Sequence, residues 1–505
     1  MAKKVKPAVK IVLFAILGAL LFGGYIVAEK SGVIANLAPE GGSGSASSGS
    51  NDDCIKVGVI TWGGYAGGEY FNRGFKPNAE SQFQKDYGIC AEFKVMDDFN
   101  ASRDAFKSDA IDLLWTTIDA FTTEASGLAQ YKPKIIFQAD WSRGGDAIVA
   151  NRSIKTVSDL KGKRIAFAMQ SPSSTMLIKV LDAGGLSIND VEMVEVANAV
   201  DAAKIYKSGD VDAAVVVSPD DAECLKKVRG SHVLINTKKM PHIIPDAFMA
   251  KQSYINNNRE NLVKFVEGWL KGAAEINTNA EAKNVAVQIL SDGTQMPVDY
   301  MHTAINNARL STYGDNMNFF GMNRNFKGVT AEQIWDDMTV RYEKLGWING
   351  RVPDWSFVFD GSILEAVNLP VDNIDEVAHF AKATKQEKTQ KAFSKKPVMI
   401  TFASGSSQLS LSAQDVIELK LIPILRTFPN SRVRLEGNTD VTGSRSNNVR
   451  LSKARANAIA KYLSTNYEFD INRFIIIGNG PDVPVCHNRT PQCYKTNRRT
   501  EMHIL

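Results

Sequence analysis

The sequence is poor in the residues that usually build metal sites and nucleophilic active sites. Its 505 residues include six histidines and five cysteines, and no two histidines have a metal-ligand spacing such as H-x-x-x-H. It also lacks a phosphate-binding P-loop and a nucleophile-elbow signature. We therefore expect no metal, no cofactor and no enzymatic activity.

A strong excess of charge of one sign is also missing. The chain has 59 Lys and Arg against 55 Asp and Glu, a formal net charge of +4, and no long basic block. This balance argues against nucleic-acid binding. With 44% hydrophobic and 23% charged residues the composition is that of a globular protein, and the length predicts two or three domains.

Residues 11–28 contain no charged side chain. A run of about eighteen apolar residues can cross a hydrocarbon core of about 30 Å. The lysines within residues 1–10 place that segment in the cytoplasm. We expect an uncleaved single-pass membrane anchor, with a cleaved signal peptide as the alternative. Ala15, Ala19 and Gly23 recur every fourth residue, a spacing that would let two such helices pack closely as a homodimer.

Two polar segments divide the rest of the chain. Residues 29–53 include a Gly/Ser-rich flexible linker, and residues 371–396 are polar and rich in lysine. They separate a middle region, 54–370, from a C-terminal region, 397–505.

Strand-like and helical segments alternate through the middle region. The strand-like segments include Ile55–Ile60, Ala91–Met96, Ile111–Trp115, Ile135–Gln138, Arg164–Ala168 and Val211–Val217. This alternation predicts a doubly wound α/β fold with parallel strands. Such sheets bind ligands at the carboxyl ends of their strands.

Four phrases in this region resemble the periplasmic solute-binding proteins of nitrate, sulfonate, taurine and thiamine-precursor transporters. They are VSDLKGKRIA at 157–166, SPSST at 171–175, AGGLS at 183–187 and SGDVDAAVV at 208–216. The resemblance implies two lobes that close on a solute like a hinged clamp, with the second lobe at about 150–245.

Loops at the strand ends supply the candidate solute contacts. These are Trp62, Tyr65, Thr117, Asp119 and Ser218 in loops, and Ser171, Ser173, Ser174 and Thr175 where a helix opens. Hydroxyl and backbone N–H groups at a helix N-terminus suit an anionic oxygen, although ordinary N-capping explains them as well. Asp119 would oppose a purely anionic ligand. We predict a small anionic or zwitterionic solute, with an amine-bearing solute left open.

The C-terminal region combines a strand-like segment with a long helical pattern. Val433–Gly437 alternates like a half-buried strand, and residues 447–464 have helical apolar spacing. Asn448 and Arg455 share a face of that helix, which Asp440 can approach from the end of the strand. An Asp–Arg pair can bind a zwitterion, because the carboxylate takes an ammonium and the guanidinium takes a carboxylate. A purely structural ion pair is the alternative.

The whole C-terminal pattern resembles the OmpA-like peptidoglycan-binding domain. The matching residues are Gly437, Asn438, Thr439, Asp440, Gly443, Asn448, Leu451, Ser452, Arg455, Ala456, Gly478, Gly480, Asn497, Arg498 and Arg499. The resemblance implies an α+β domain in which Asp440 and Arg455 hold the diaminopimelate of the stem peptide. It implies that Asn448 supports the loop, and that Arg498 and Arg499 are mainly structural.

The cysteines fit an exported compartment, which permits disulfides. Cys486 and Cys493 flank an insertion relative to the OmpA-like pattern that looks like a disulfide-closed loop. Cys54 and Cys90 each precede a predicted strand and could pair across neighbours. Cys224 is left as a buried thiol.

These features predict a single-pass protein of the bacterial inner membrane whose domains lie in the periplasm. It would bind peptidoglycan and present a solute receptor to a transporter or sensor. The alternative is a scaffold or stator-like subunit of a motor-type membrane complex, whose middle domain docks protein instead of solute. The predicted anchor lacks the carboxylate that stators of flagellar type carry in their membrane helix.

Overall fold

The computed structural model describes residues 54–371, 378–403 and 405–505. The predicted cytoplasmic segment, membrane anchor and first linker lie outside these ranges. Within them, no helix is both long enough and apolar enough to cross a membrane. Residues from Cys54 to Leu505 pack as one unit.

Strands and helices alternate along most of the described chain. The strands are β1 Ile55–Val59, β2 Ala91–Val95, β3 Leu113–Thr117, β4 Pro133–Ser142, β5 Asp146–Ala150, β6 Arg164–Ala168, β7 Glu192–Val196, β8 Ala213–Val217, β9 His232–Asn236, β10 Pro245–Lys251, β11 Ala308–Leu310, β12 Ser394–Val398, β13 Val433–Asn438, β14 Phe474–Gly480 and β15 Thr500–Ile504. The α-helices are α1 Ala66–Phe71, α2 Gln82–Tyr87, α3 Phe99–Lys107, α4 Ile118–Phe121, α5 Ala125–Leu128, α6 Pro172–Ala183, α7 Ala199–Ser208, α8 Asp220–Lys227, α9 Gln252–Thr278, α10 Ala280–Thr294, α11 Val298–Asn306, α12 Tyr313–Phe319, α13 Ala331–Leu345, α14 Trp355–Val358, α15 Ser362–Ala366, α16 Lys385–Thr389, α17 Leu411–Lys420, α18 Ile422–Thr427, α19 Arg445–Tyr467 and α20 Pro491–Asn497.

The first lobe is built on a six-stranded sheet in the order β11-β4-β10-β3-β1-β2. Strands β3 and β10 are buried along their whole length, as expected for central strands that are covered on both faces. The long helix α9 packs on one face through Trp269, which is fully buried among Phe93, Phe137 and Phe248.

The second lobe has a five-stranded sheet in the order β7-β6-β8-β5-β9. Successive side chains of a strand point to opposite faces. In β6, Ile165 and Phe167 accordingly share one apolar cluster with Leu177 of α6, whereas Ala166 joins a second cluster with Tyr206 of α7. Helices therefore cover both faces, and the predicted two-lobed α/β fold is confirmed.

Both sheets are mixed, which corrects the prediction of parallel strands. Strand β10 runs antiparallel to β3 and β4, and β5 runs antiparallel to β8 and β9. The reason is that the chain enters the second lobe through β5 and returns to the first through β10. These strands are therefore not part of a β-α-β unit within one sheet.

Two crossing segments join the lobes, one between β4 and β5 and one between β9 and β10. The Oγ1 of Thr237 accepts the N–H of Gly144 at 2.7 Å and lies 3.0 Å from the Oγ of Ser142, which holds the two segments together. Gly145 leaves no room for a side chain, because a Cβ there would lie 2.2 Å from Cη2 of Trp62.

The C-terminal domain has a four-stranded sheet in the order β12-β15-β13-β14. Strands β13 and β14 are parallel, and helix α19 packs across both. Gly437 permits this close approach, since a Cβ there would lie 2.2 Å from the carbonyl oxygen of Ser452. The predicted α+β domain is confirmed. Its sheet begins at Ser394, inside the segment that the sequence predicts as a linker.

The C-terminal domain is docked on the last turn of helix α6 in the second lobe. The Oγ of Ser394 donates to the carbonyl of Ala183 at 2.6 Å, and the N–H of Val157 donates to the carbonyl of Phe393 at 3.0 Å. Lys396 pairs with Asp182 at 2.5 Å, and both side chains are largely shielded. The domain is thus packed against the middle domain through hydrogen bonds and an ion pair.

Both predicted cysteine pairs are disulfides in the structure. Cys54–Cys90 joins the residues that precede β1 and β2, and Cys486–Cys493 closes a loop that ends in α20. Cys224 is a buried free thiol.

Removing the charge of Lys396 tests the docking. We expect Lys396→Ala to speed amide hydrogen exchange at Val157 by about tenfold, because the loss of a shielded ion pair worth about 1–2 kcal/mol favours local opening. The matched control is Lys385→Ala, which removes an exposed lysine of α16. Equal exchange at Val157 in both variants would contradict the assignment.

Two candidate binding sites

A cavity lies between the lobes, beside the two crossing segments. The described residues that line it are Ile60, Trp62, Phe99, Trp115, Thr117, Ser142, Gly145, Asp146, Ala168, Ser171, Pro172, Ser173, Asn198, Ala199, Val217, Ile244 and Asp246. They come from both lobes, and several follow strand ends. The cavity therefore occupies the position in which a two-lobed clamp would hold a solute.

Four of the nine solute contacts predicted from the sequence line this cavity, namely Trp62, Thr117, Ser171 and Ser173. The other five are not among its described lining residues; they are Tyr65, Asp119, Ser174, Thr175 and Ser218. Their polar groups have partners or neighbours in the protein. The hydroxyl of Ser174 donates to the carbonyl of Ala168 at 2.9 Å, that of Thr175 lies 2.8 Å from the hydroxyl of Tyr342, and that of Ser218 accepts from Asn307 at 3.0 Å.

The start of helix α6 shows ordinary N-capping. The Oγ of Ser171 accepts the N–H of Ser173 at 3.2 Å and donates to the carbonyl of Ala168 at 2.8 Å. Pro172 at the first helical position needs no hydrogen-bond acceptor. N-capping therefore explains part of the cluster of hydroxyl side chains at the start of helix α6.

Two aspartates on neighbouring strands meet at the floor of the cavity. Asp140 of β4 and Asp246 of β10 are register partners, and their carboxyl groups are close enough for the charge of Asp140 to raise the pKa of Asp246. The indole N–H of Trp62 donates to Asp140 at 3.0 Å, and the hydroxyl of Tyr65 donates to Asp246 at 2.9 Å. Tyr65, one of the predicted contacts, is thus not a described lining residue itself but fixes the position of Asp246, which is one.

Two further buried aspartates complete the group. Asp146 accepts the hydroxyl of Ser142 at 2.7 Å. Both carboxyl oxygens of Asp119, and one of Asp140, are buried without a hydrogen bond of normal geometry from any described residue. The hydroxyls of Thr175 and Thr117 lie close enough to Asp119 to lower its pKa without fully compensating its burial.

Burial raises the pKa of all four carboxyl groups. The pKa of Asp119 is raised to about 7 and that of Asp146 to about 6, in both cases chiefly by desolvation. Desolvation also raises the pKa values of Asp140 and Asp246, and the nearby charge of Asp140 adds to the effect on Asp246. Among the described residues that line the cavity, none is Lys, Arg or His.

The sequence did not predict Asp140, Asp146 or Asp246. Parallel sheets bind ligands at loops that follow the carboxyl ends of their strands, whereas Asp140 lies within β4 and Asp246 near the start of the antiparallel strand β10. One signal was present: the polar residues of Gln138–Ser142 interrupt a strand that is otherwise apolar and wholly buried at this end.

The second candidate site is a pocket on the C-terminal domain. Its lining residues are Met399, Ile400, Thr401, Phe402, Gly437, Asn438, Ser452, Arg455, Lys495, Arg498, Arg499 and Thr500. The guanidinium of Arg455 lies 5.0 Å from the ring centre of Phe402, and it donates to the carbonyls of Ser406 at 2.9 Å and Ala403 at 3.2 Å. These contacts hold Arg455 in the wall of the pocket.

Asp440 lies beside this pocket and is bound to Arg498. Nη1 of Arg498 lies 2.6 Å from the Asp440 carboxylate, and the N–H of Thr442 donates to it at 2.9 Å. Burial raises the pKa of Asp440, but the hydrogen bonds from Thr442 and Arg498 outweigh burial and hold it below its ordinary value. Asn448 donates to the carbonyls of Asp440 and Thr442, which is the loop support that the resemblance implies.

Arg498 takes a larger part in this pocket than the sequence predicts. It lines the pocket, its side chain is 48% exposed, and it neutralises Asp440. Burial and then the charge of Arg498 lower the pKa of Arg455, which indicates that the two guanidinium groups are close. With Lys495, the pocket offers cations for a carboxylate, and the carboxylate of Asp440 lies beside it.

Three ionisable side chains form a separate group on the C-terminal sheet. Glu436, Glu501 and His503 lie close enough together to share an ion. Arg499 and Lys395 each approach Glu501 to 2.7 Å. Burial raises the pKa of Glu501, but the hydrogen bonds from His503 and Lys395 and the charge of Arg499 bring it to about 2. The negative charge of Glu501 is therefore balanced by protein cations.

Two family models match separate parts of the chain. Residues 145–282 match the family described as NMT1/THI5 like, and residues 401–498 match the OmpA family. The first match covers the second lobe and the return to the first, and the second covers most of the C-terminal domain. The chain thus joins an NMT1/THI5-like segment to an OmpA-family segment.

Individual relatives match shorter parts of the chain. The outer membrane protein Omp38 of Acinetobacter baumannii is 40% identical over 16% of this chain and 22% of its own length. The peptidoglycan-binding protein ArfA of Mycobacterium bovis is 30% identical over 21% of this chain and 32% of its own length. The chain therefore spans less than half of either relative. A crystal structure of the periplasmic aliphatic sulphonate-binding protein of Escherichia coli covers 61% of this chain and 97% of its own at 16% identity, with a TM-score of 0.47.

Replacing Asp119 by Asn tests the energetic effect of the buried acids. The pKa of Asp119 rises from 3.8 to about 7 on folding. Between about pH 4 and pH 7 the folded protein keeps a proton that the unfolded chain loses, so the free energy of unfolding falls as pH rises. We expect Asp119→Asn to raise the free energy of unfolding at pH 8 by about 1–3 kcal/mol and to change it less at pH 4.

Urea unfolding of the ligand-free protein at both pH values is the measurement. Asp86→Asn, which changes an exposed aspartate of α2, is the control and should leave the free energy of unfolding nearly unchanged. A destabilised Asp119→Asn protein at pH 8 would show that the carboxylate is compensated in a way that the contacts do not reveal.

Proposed function

We propose that the protein is a peptidoglycan-bound solute receptor of the bacterial envelope. The C-terminal domain would hold the cell wall, and the two-lobed domain would bind a small solute between its lobes. The observation that carries this proposal is the presence, in one packed unit, of a charged pocket in an OmpA-family segment and a buried polar cavity where two lobes meet.

The charges of the C-terminal pocket support the peptidoglycan part. Diaminopimelate ends in an amino-acid centre that carries an ammonium and a carboxylate. Asp440 would take the ammonium, and Arg455 with Arg498 would take the carboxylate. The name of the relative ArfA describes a peptidoglycan-binding protein.

The position of the interlobe cavity supports the receptor part. Its walls come from both lobes, so a bound solute would bridge them and favour the closed arrangement. The two crossing segments lie at its edge, where small backbone rotations can change the angle between the lobes. A role in binding, rather than catalysis, fits this arrangement.

A scaffold is the second candidate function. The docking of the C-terminal domain on helix α6 favours a scaffold, since the middle domain packs against the C-terminal domain and would transmit mechanical force to it. An inner-membrane anchor, a partner transporter or motor-type complex, a homodimer and the absence of enzymatic activity all stay predictions.

Sedimentation with purified peptidoglycan tests the wall-binding pocket. We expect Asp440→Ala and Arg455→Ala each to weaken co-sedimentation at least tenfold, because each removes one half of a zwitterion receptor. Arg450→Ala is the matched control, since Arg450 is an exposed arginine on the same helix α19. Undiminished sedimentation of a folded Asp440→Ala protein would reject the site.

Thermal unfolding against a panel of nitrate, sulfonates, taurine, amino acids, alkylamines and thiamine precursors tests the receptor. A ligand at a hundred times its dissociation constant should add about 2.7 kcal/mol to the free energy of unfolding and raise the midpoint. We expect Gly145→Ala to reduce this shift, because the new Cβ displaces Trp62 from the cavity wall.

Gly127→Ala is the control for the glycine substitution, since a Cβ there meets open space. It should leave the ligand-induced shift unchanged. A flat panel for the well-folded protein, with no ligand carried through purification, would favour the scaffold over the receptor.

A further inference from the structure

We propose that the interlobe cavity takes an organic cation, a solute with an ammonium group attached to an apolar or aromatic portion. This proposal names the chemical class of the solute and rests on the receptor function proposed above. The sequence alone favours an anion or zwitterion, and the geometry of the cavity points the other way.

Among the described residues, no cation forms an ion pair with the acids that line the cavity. Asp146 and Asp246 line it, and neither has an ion-pair partner among the described residues. Asp140, which stands between the cavity residues Trp62 and Asp246, is fully buried and keeps one oxygen without a hydrogen bond. A buried carboxylate oxygen calls for a donor, and an ammonium group supplies up to three.

An anionic solute would meet no basic side chain among the described residues that line this cavity, since none of them is Lys, Arg or His. Arg103 stacks on the cavity residue Trp115 at 4.7 Å, but Glu124 already binds it through two hydrogen bonds of 2.9 and 2.7 Å. Placing a sulfonate here would add a negative charge to a site where like charges already repel.

The aromatic wall suits a cation as well. Trp62, Trp115 and Phe99 all line the cavity, and Phe99 packs edge-on against Trp115 at 5.0 Å. Indole and phenyl faces attract a cation that lies within about 6 Å of the ring centre. Arg103 already lies 4.7 Å from the ring centre of Trp115 and 5.5 Å from that of Phe99, so among the described aromatic residues of the wall Trp62 is the one without a protein cation over its ring. The same rings can cover the apolar part of the solute, so the two recognition elements lie side by side.

Three helices, α3, α6 and α7, begin with the lining residues Phe99, Pro172 and Ala199, and a helix N-terminus favours an anion. The longest of the three is α6. Its macrodipole is equivalent to about half a unit of positive charge. That end is already occupied within the protein, because the N–H of Ser173 donates to Ser171 Oγ and the N–H of Ser174 donates to the Ser171 carbonyl. Asp98 and Asn198 cap α3 and α7 in the same way, so the two lining carboxyl groups, with Asp140 beside them, decide the preference for a cation.

Matched probes of opposite charge test the proposal. Calorimetric titration of the full chain would compare ethylammonium with ethanesulfonate and benzylammonium with phenylmethanesulfonate, with taurine as the zwitterion. We expect the ammonium member of a pair to bind at least tenfold more tightly than the sulfonate. We also expect Asp246→Asn and Asp146→Asn each to weaken ammonium binding at least tenfold.

Asp86→Asn is the matched control and should bind the probes as the unaltered protein does. Two variants are used so that one remains informative if the other fails to fold. Tighter binding of the sulfonate than of its ammonium partner would overturn the proposal and leave the receptor function standing. Failure of every compound here and in the wider panel to bind the folded protein would reject both.

Discussion

Helix α6 is the element on which the relative placement of the two candidate sites depends. Its first turn lines the interlobe cavity through Ser171 and Ser173, and its last turn holds the C-terminal domain through Asp182 and Ala183. The helix has 12 residues, so its ends lie about 18 Å apart. One rigid element therefore connects the wall of the cavity to the base of the domain that carries the charged pocket.

The C-terminal domain contacts both lobes, which limits how the lobes can move. Asp182 of the second lobe pairs with Lys396 of the C-terminal domain and with Arg341 of helix α13. Helix α13 belongs to the first lobe through the packing of Trp335 on Phe121 at 5.7 Å. A change in the angle between the lobes must therefore keep, stretch or exchange the contacts around Asp182. The side chains that dock the C-terminal domain are therefore also the side chains that closure of the cavity would disturb.

Periodicity and motif spacing predicted the architecture well and the residues of the interlobe cavity poorly. The first-lobe strand β1 and the helix that carries Asn448 and Arg455 follow from apolar periodicity, because burial on a known face imposes that pattern. Asp140 and Asp246 come together only because β10 lies between β3 and β4 in the sheet. This pairing joins residues over a hundred positions apart, which no local sequence pattern encodes. The contact between Arg498 and Asp440 escaped prediction for the same reason.

The energetic cost of burying the carboxyl groups favours the receptor over the scaffold. Burying an acid without a cation costs several kcal/mol or forces it to take up a proton, and either outcome weakens the domain near neutral pH. Asp119 and Asp140 are fully buried, and each keeps at least one oxygen without a hydrogen bond. A spacer would be more stable with amides or apolar side chains at these positions. A receptor for a cation would regain stability when its ligand binds, because the bound ligand would supply charge and donors to Asp146 and Asp246, the acids that line the cavity.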